Sequence, residues 1–300
     1  MIPRMIDKLE MFIALANEEH FGRAAEECGV TQPTLSAAIK QLEEQLGVML
    51  VWRGSRFQGL TPEGQRVLQW ARQIVGDART MREEMRAVKK KLSGRLRLAV
   101  IPTALAMLPR LTAPLASAHP NLHFTILSRN SAEILQLLDN LEIDAGLTYL
   151  EHEPLGRVTT VPLYDEDYHL VVRLGSDLAA RAGISWQEAA ALPLCLLTPD
   201  MQNRRIINHH LSVSSGERPA PRIESNSVVT LISHVLHGDW ATILPMQTAE
   251  LFLRSGNLAA VPLTGPKAQH KVGLVAPHRE PHTPVLDALL NAARRWPVDR

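Results

Sequence analysis

A run of small residues, one glycine and one proline between Phe21 and Val48, FGRAAEECGVTQPTLSAAIKQLEEQLGV, constrains the fold of this chain more than any other feature. Ala24 and Ala25 let one helix pack closely on another, and Gly29 supplies the positive φ of a sharp exit. Thr31 stands at an N-cap position ahead of Gln32 and Pro33, and proline in the first helical turn forfeits no hydrogen bond. The spacing predicts two short helices meeting at a tight turn, the second starting at about Gln32. Such a unit reads DNA by placing the start of its second helix in the major groove. The candidate contacts are Thr31, Gln32, Pro33, Thr34 and Ser36, with Lys40 one turn on. Glutamine pairs with adenine in two hydrogen bonds, and threonine meets the thymine methyl. An ordinary helical hairpin in another all-α fold would carry much of the same pattern.

The residues that follow narrow the choice. VMLVWRGSRFQGLTPEG places Arg53 and Arg56 in a short glycine-bounded hairpin, as expected of a wing lying along phosphates. Thr61 then caps a new helix with Pro62 at its first position and Glu63 in its first turn.

Together these residues resemble the winged helix-turn-helix of LysR-type transcriptional regulators. The family pattern is F-x-x-A-A, then [ST]-Q-P-x-[LV]-S-x-x-I-[KR]-x-L-E-x-x-L-G, then R-x-x-[RK] and L-T-x-x-G. Here it is carried by Phe21, Ala24, Ala25, Thr31, Gln32, Pro33, Leu35, Ser36, Ile39, Lys40, Leu42, Glu43, Leu46, Gly47, Arg53, Arg56, Leu60, Thr61 and Gly64. The chain departs from it at Ala37, where the family usually has arginine, and at Val51, where it usually has phenylalanine. The resemblance implies double-stranded operator DNA as partner, RNA polymerase as a second partner if the protein activates, and a homodimer or homotetramer.

Composition agrees with a regulator of more than one domain. The chain has 300 residues and 45% hydrophobic content, enough for a sizeable core. It contains no apolar stretch of about 18 residues and no basic-then-apolar leader, so a cytoplasmic protein without a membrane span is expected. Cys28 and Cys195 fall in different expected domains, which argues against a disulfide framework. Residues 1–91 hold 14 Lys or Arg against 12 Asp or Glu, so phosphate contact must come from local placement of Lys40, Arg53 and Arg56.

Apolar residues then recur at Val67, Ala71, Ile74, Ala78, Met81, Met85, Val88 and Leu92, alternating four and three apart. Such a seam predicts a dimerisation helix, with a single amphipathic helix packed on its own domain as the alternative. The same element in LysR-type regulators is the linker helix that pairs two subunits. Lys89, Lys90 and Lys91 read as a solvated helix end or a further DNA contact.

Beyond Gly94 short apolar runs alternate with helical ones, the pattern of an α/β region. Strands are expected at 95–101, 122–128, 145–149, 169–173, 194–197, 241–244 and 271–276, and helices at 105–118, 131–141, 228–237, 246–253 and 284–295. GRLRLAVIPTA, the run from Leu135 to Gly146, and P-L-Y-D-E near Pro162 continue the resemblance. It implies two lobes like a type 2 periplasmic binding protein, crossing near Tyr149 to Thr160 and Val261 to Gln269. The expected fold class is therefore multidomain: an all-α winged helix-turn-helix (1–64), a linker helix (65–92) and an α/β two-lobed effector domain (93–300). Lobe I would hold about 93–160 and 266–300, and lobe II about 161–265.

In such a domain strand ends and helix N-termini converge on the cleft, where backbone N–H groups hold anions. Family members bind small carboxylates there, and the matching positions are Thr103, Ser131, Asn203, Arg204 and Ser227. Helix capping would account for Ser131 and Ser227 without a ligand, and a surface ion pair for Arg204. Trp240, in Gly238-Asp239-Trp240, would fill cleft volume and favour a very small ligand, or cover the lobe's core. HFGRAAE, TPDMQNRRII and GDWATILP resemble the regulators that accompany soluble formate dehydrogenase operons, which implies formate as effector.

Other classes fit less well. The chain has no G-x-S-x-G elbow, P-loop or G-x-G-x-x-G, so an enzyme is not expected, and no cofactor is implied. A metal-responsive regulator would use His234 and His237, one turn apart, without cysteine or acidic ligands to complete the site. A thiol-responsive one would rest on Cys195.

Overall fold

The burial of alternating helix faces organises the N-terminal part of the computed structural model, which describes residues 5–52, 57–87, 92–151, 154–216, 220–266, 268–278 and 280–297. The chain divides into two compact units, one built from the residues up to 87 and one from most of those after 92.

In the first unit, α1 (Met5–Glu18), α2 (Phe21–Glu27), α3 (Gln32–Leu46) and the start of α4 (Pro62–Ala87) enclose a core of Leu9, Phe12, Leu15, Ala24, Leu35 and Leu42. His20 caps α2, its Nδ1 accepting from the Gly22 and Arg23 N–H groups. Gly47 ends α3 in the left-handed region at φ +70°. The wing returns antiparallel through the Val51–Leu60 pair. Glu43 holds its first strand, because one carboxylate oxygen accepts from the Leu50 N–H at 2.7 Å and the Val51 N–H at 3.3 Å. Thr61 caps α4 by accepting from the Gly64 N–H at 2.9 Å. A Cβ at residue 64 would stand 2.0 Å from the Leu50 carbonyl oxygen, so only glycine lets the helix approach the wing.

The expected seam on α4 is divided between two faces. Val67 and Ala71 pack into the unit's own core, whereas Ile74, Met81 and Met85 are exposed together with Trp70, which is 64% exposed. The apolar stripe left uncovered is thus Trp70-Ile74-Met81-Met85. Leu92 lies beyond the helix against the core of the second unit, and Val88 and Lys89 to Lys91 lie outside the described residues.

The second unit is α/β. In chain order it comprises β1 (Gly94–Val100), α5 (Pro109–Ala118), β2 (Leu122–Ser128), α6 (Ser131–Asp139), β3 (Ala145–Tyr149), β4 (Val158–Arg173), β5 (Ile184–Ser185) and α7 (Trp186–Ala190). There follow β6 (Cys195–Leu197), α8 (Gln202–Ser215), β7 (Ile223–Ser225), α9 (Val228–His237), β8 (Thr242–Pro245), α10 (Met246–Leu253), β9 (Leu258–Thr264), β10 (Gln269–Pro277) and α11 (Pro284–Arg294). Strand order runs β2-β1-β3-β10-β4-β9-β5, with β8 also on β4 and β6 beside β7. β1 is parallel to β2 and β3, which brings the C-terminal ends of these strands to one edge.

β4 passes from one lobe to the other within a single strand. It pairs with β10 from Val158 to Asp167, then with β8 and β9 from Tyr168 to Arg173. The first crossing therefore lies later than the expected Tyr149 to Thr160. Its residues alternate between buried and exposed, and pairing with β10 keeps the strand extended past Pro162. β9, which pairs with the later part of β4, ends at Thr264, and β10, which pairs with the earlier part, begins at Gln269. Among the described residues no helix is long and apolar enough to cross a membrane.

Candidate functional site

The expected DNA contacts from Thr31 to Lys40 lie on the outward face of α3. Leu35, Ala38, Ile39 and Leu42 are buried, which turns Thr31, Gln32, Pro33, Thr34 and Lys40 to solvent and leaves Ser36 half-buried. Thr31 has the extended backbone of an N-cap, but its hydroxyl lies 2.9 Å from the Thr34 hydroxyl and makes no cap to the backbone. The expected side-chain cap is thus absent, and the two hydroxyls face outward as a pair. Lys40 stands 3.9 Å from Glu44 with both side chains exposed. Such a pair holds its lysine only weakly and leaves it able to reach a phosphate. Arg53 and Arg56 lie outside the described residues.

In the second unit three of the expected effector residues line one small cavity. Thr103 enters it from the turn after β1, Ser131 from the first residue of α6, and Asn203 from the first turn of α8; Tyr149 closes its wall. The room left for the centre of a water-sized sphere is about 10 Å³, the space of one ordered water. Thr103, Ser131 and Asn203 are 1%, 2% and 3% exposed, which makes this a buried polar site rather than a surface one.

Capping does not account for Ser131. Asn130 is the cap: its Oδ1 accepts from the Glu133 N–H at 2.9 Å, and Glu133 accepts in turn from the Asn130 N–H at 2.9 Å. The Ser131 hydroxyl and the Asn203 Nδ2 have no hydrogen-bond partner among the described residues. A buried polar group without a partner costs about 1 to 3 kcal/mol. Two of them at one cavity, each at the positive end of a helix, mark where a hydrogen-bonding ligand fits.

The remaining expected residues do not join them. Arg204 is buried but committed: its guanidinium donates to the Leu197 carbonyl at 2.6 Å, to Glu224 at 2.7 Å and to Asn208 at 2.7 Å. It ties α8 to β6 and offers no charge to the cavity. Ser227 is the cap of α9, accepting from the Thr230 N–H at 3.4 Å. Trp240 stands at the far end of its lobe, because the neighbouring Ala241 pairs in parallel with Leu194, ahead of β6, whereas the cavity lies at the other end of β6, beyond Leu197. Its indole packs on the lobe's core, so the expectation that it fills the cleft is not met.

The alternative sensing groups are engaged as well. Cys195 is buried, its thiol donates towards the Leu231 and Ala241 carbonyls, and burial pushes it up to about 11. Burial likewise pushes the Cys28 thiol up to about 11. His234 and His237 each turn Nδ1 to a carbonyl one turn back, and no metal-binding cluster forms among the described residues.

Sequence reasoning missed the carboxyl behind the cavity. Glu166, midway along β4, is fully buried, and one of its oxygens accepts from Tyr149 at 2.6 Å and from Tyr168 at 3.0 Å. Burial, countered by hydrogen bonds from Tyr149, Thr103 and Tyr168, leaves it raised to about 7. The signal available was an acidic residue at an inward position of an alternating strand. A larger groove of about 700 Å³ lies between α5 and α11, lined by Leu111, Leu115 and Trp296. It is mainly apolar and presents no unpartnered buried side-chain atom among the described residues, so it does not compete as the polar site.

Comparison with known proteins agrees with both units. Residues 6–65 match the family model "Bacterial regulatory helix-turn-helix protein, lysR family", and residues 89–297 match "LysR substrate binding domain". The chain is 30% identical over 299 residues to a probable hydrogen peroxide-inducible genes activator of Streptomyces viridosporus, covering 97% of this chain and 95% of that one. It is 29% identical over 271 residues to the DNA-binding transcriptional dual regulator OxyR of Escherichia coli K12, covering 90% and 88%. Among solved structures it is similar to a full-length OxyR cysteine variant from Pseudomonas aeruginosa, with TM-score 0.75, 26% identity and coverage of 98% and 96%. It is also similar to an H2O2-bound OxyR cysteine mutant from Corynebacterium glutamicum, with TM-score 0.59, 26% identity and coverage of 98% and 93%.

Proposed function

The chain belongs to the LysR family of bacterial transcription regulators, and from that premise we propose that its effector is a very small carboxylate, with formate the leading candidate, held by Thr103, Ser131 and Asn203. The protein is a DNA-binding regulator and not an enzyme. The observation that carries the effector reading is the pair of unpartnered buried atoms, Ser131 Oγ and Asn203 Nδ2, at one water-sized cavity. Both can donate to the two oxygens of a carboxylate.

The cavity as it stands holds one water, so a carboxylate enters only as the surrounding side chains give way, and what separates the candidate ligands is the affinity that their atom count allows. The best tiny ligands gain about 1.5 kcal/mol per non-hydrogen atom. Formate, with three such atoms, could reach a Kd of about 0.5 mM, whereas hydrogen peroxide, with two, could reach only about 6 mM. The relatives' names favour a peroxide reading, yet non-covalent capture at that affinity is a poor sensor. A covalent route would need an activated thiol, and the second unit has Cys195 alone, buried with its thiol pushed up to about 11.

We read the exposed Trp70, Ile74, Met81 and Met85 as the contact with a second copy, which would present two recognition helices to two half-sites. Met81→Glu should then leave a monomer that no longer shifts a two-half-site promoter fragment. The effector reading is tested by gel shift and calorimetry on the full chain with formate, acetate and hydrogen peroxide. Formate should bind in the millimolar range and alter the DNA complex, and Ser131→Ala should abolish both effects. Tighter binding of peroxide than of formate would overturn the carboxylate assignment.

A further inference from the structure

A line of hydroxyls connects the cavity to a buried carboxyl. Thr103, in the cavity wall, has its hydroxyl 3.5 Å from that of Tyr149, which also lines the cavity. The Tyr149 hydroxyl is 2.6 Å from Glu166, whose second oxygen has no partner among the described residues. Glu166 stands two residues ahead of Tyr168, where β4 exchanges β10 for β8 and β9 as partner. The carboxyl therefore sits at the passage between the lobes and two hydroxyls from the ligand position.

The direction of the hydrogen bonds along this line depends on one proton. With Glu166 ionised, Tyr149 and Tyr168 donate to it and the Thr103 hydroxyl is drawn to donate towards it as well, which turns the Thr103 proton away from the cavity. With Glu166 protonated, the carboxylic acid donates to Tyr149, Tyr149 donates to Thr103, and the Thr103 hydroxyl points its proton into the cavity. An anion needs the second arrangement, and it also repels a neighbouring carboxylate in a poorly screened interior. We propose that anion binding at Thr103, Ser131 and Asn203 is coupled to the uptake of one solvent proton by Glu166. This rests on the reading of the cavity as the effector site.

The groups around Glu166 are consistent with a stored proton. Thr103 faces it from the turn after β1, Tyr149 from β3, Tyr164 and Tyr168 from β4 itself, and His270 is its register partner on β10, while the Arg110 charge acts on Tyr164. The His270 ring lies edge-on to Tyr149 at 6.5 Å and to Tyr168 at 6.2 Å between centroids. Burial holds all three tyrosines well above their ordinary range, so they stay protonated, and leaves Glu166 raised to about 7. Its hydrogen-bond partners are hydroxyls rather than cations. Among the described residues of this unit Arg204 is the one buried cation, and it is paired with Glu224.

The test is calorimetric titration of the full chain with sodium formate at pH 6, 7 and 8, each in two buffers of different ionisation enthalpy. Binding should weaken about tenfold per pH unit above pH 7 and take up between zero and one proton. Glu166→Gln, whose amide donates as the protonated acid does, should bind formate equally at all three pH values with no proton uptake. His270→Gln should keep the wild-type dependence. Formate binding to wild type without proton uptake, or a wild-type slope in Glu166→Gln, would overturn the coupling while leaving the cavity assignment intact. Absence of formate binding at any pH would overturn the cavity assignment instead. Infrared titration of the ligand-free chain gives an independent reading: a protonated-acid carbonyl band, lost in Glu166→Gln, should titrate near pH 7, and its absence at pH 6 would remove the proton site.

Discussion

The side-chain amide of Asn130 spans the cleft to Asp200, its Nδ2 donating to the carboxylate at 3.1 Å. The same Asn130 caps α6 through Oδ1. One side chain thus orients the helix that presents Ser131 and latches the lobe that presents Asn203. Asp200 is held below its ordinary range first by the Thr198 hydroxyl and then by Asn130, so it is ionised and a good acceptor at neutral pH.

The latch can be broken without disturbing the cap. Asn130→Asp keeps an N-cap oxygen but sets a second carboxylate against Asp200. The loss should be about 1 kcal/mol, or roughly 2 to 4 °C in the melting temperature of a unit this size. Asp200→Asn added to it restores a donor and an acceptor in exchanged places and should recover the loss. Differential scanning fluorimetry of both variants decides the matter, and a double variant no more stable than Asn130→Asp alone would show that the latch carries nothing.

Ser131 and Ser227 both begin helices, yet their alanine variants should behave in opposite ways. Ser227→Ala removes a cap and should cost about 1 kcal/mol of stability while leaving formate affinity unchanged. Ser131→Ala removes a buried hydroxyl that has no partner among the described residues, so stability should hold or rise slightly and binding should be lost. Equal destabilisation of the two would return Ser131 to an ordinary helix start.

On the DNA side, Gln32 and Lys40 both lie exposed on α3, and a base-reading role for the first and a phosphate role for the second predict different outcomes. Gln32→Ala should cost about 1 to 3 kcal/mol on the operator and almost nothing on random duplex. Lys40→Ala should weaken both alike and lower the salt slope by about one. A gel-shift series over salt concentration separates these outcomes, and equal losses of Gln32→Ala on both duplexes would remove it from base reading.

How far the sequence revealed this arrangement depended on whether the signal was local. Apolar patterning marked α9 and α10 at the bounds observed, and short apolar runs marked β2 and β3. β4 was read only from His169 because Pro162 and the acidic run Asp165-Glu166-Asp167 resemble a loop; pairing with β10 overrides that local preference. α8 escaped notice because Met201 gives it no side-chain cap and its sequence is mostly polar. For the site, strand-to-helix junctions pointed to Thr103 and Ser131. The fate of Arg204 and Trp240 depended on partners twenty or more residues away, Glu224 for one and the Leu194–Ala241 pairing for the other.

Cys195 should play no part in sensing. Its thiol is fully buried and pushed up to about 11, so almost none is thiolate at neutral pH. Mass spectrometry after millimolar hydrogen peroxide should find Cys195 unmodified in the folded chain, and Cys195→Ala should keep the effector-dependent change in the gel shift. Loss of that response in a folded Cys195→Ala chain would revive the thiol-responsive reading.

The buried position of Glu166 also sets a pH dependence of stability that needs no ligand. Its carboxyl is raised from an ordinary 4.5 to about 7 in the folded chain, chiefly by burial. Between those values the folded state holds more proton than the unfolded state, so stability falls as pH rises. The contribution is fully present below about pH 4.5 and lost as pH passes through 7, to a total on the order of 3 kcal/mol. Glu166→Gln has nothing to ionise and should escape this loss, whereas other titrating groups contribute equally to both proteins. Urea unfolding followed by circular dichroism at pH 5, 6, 7 and 8 should therefore show wild type losing stability relative to Glu166→Gln across the series. Parallel curves would mean that Glu166 titrates in the folded chain as it does in water, and that water reaches it.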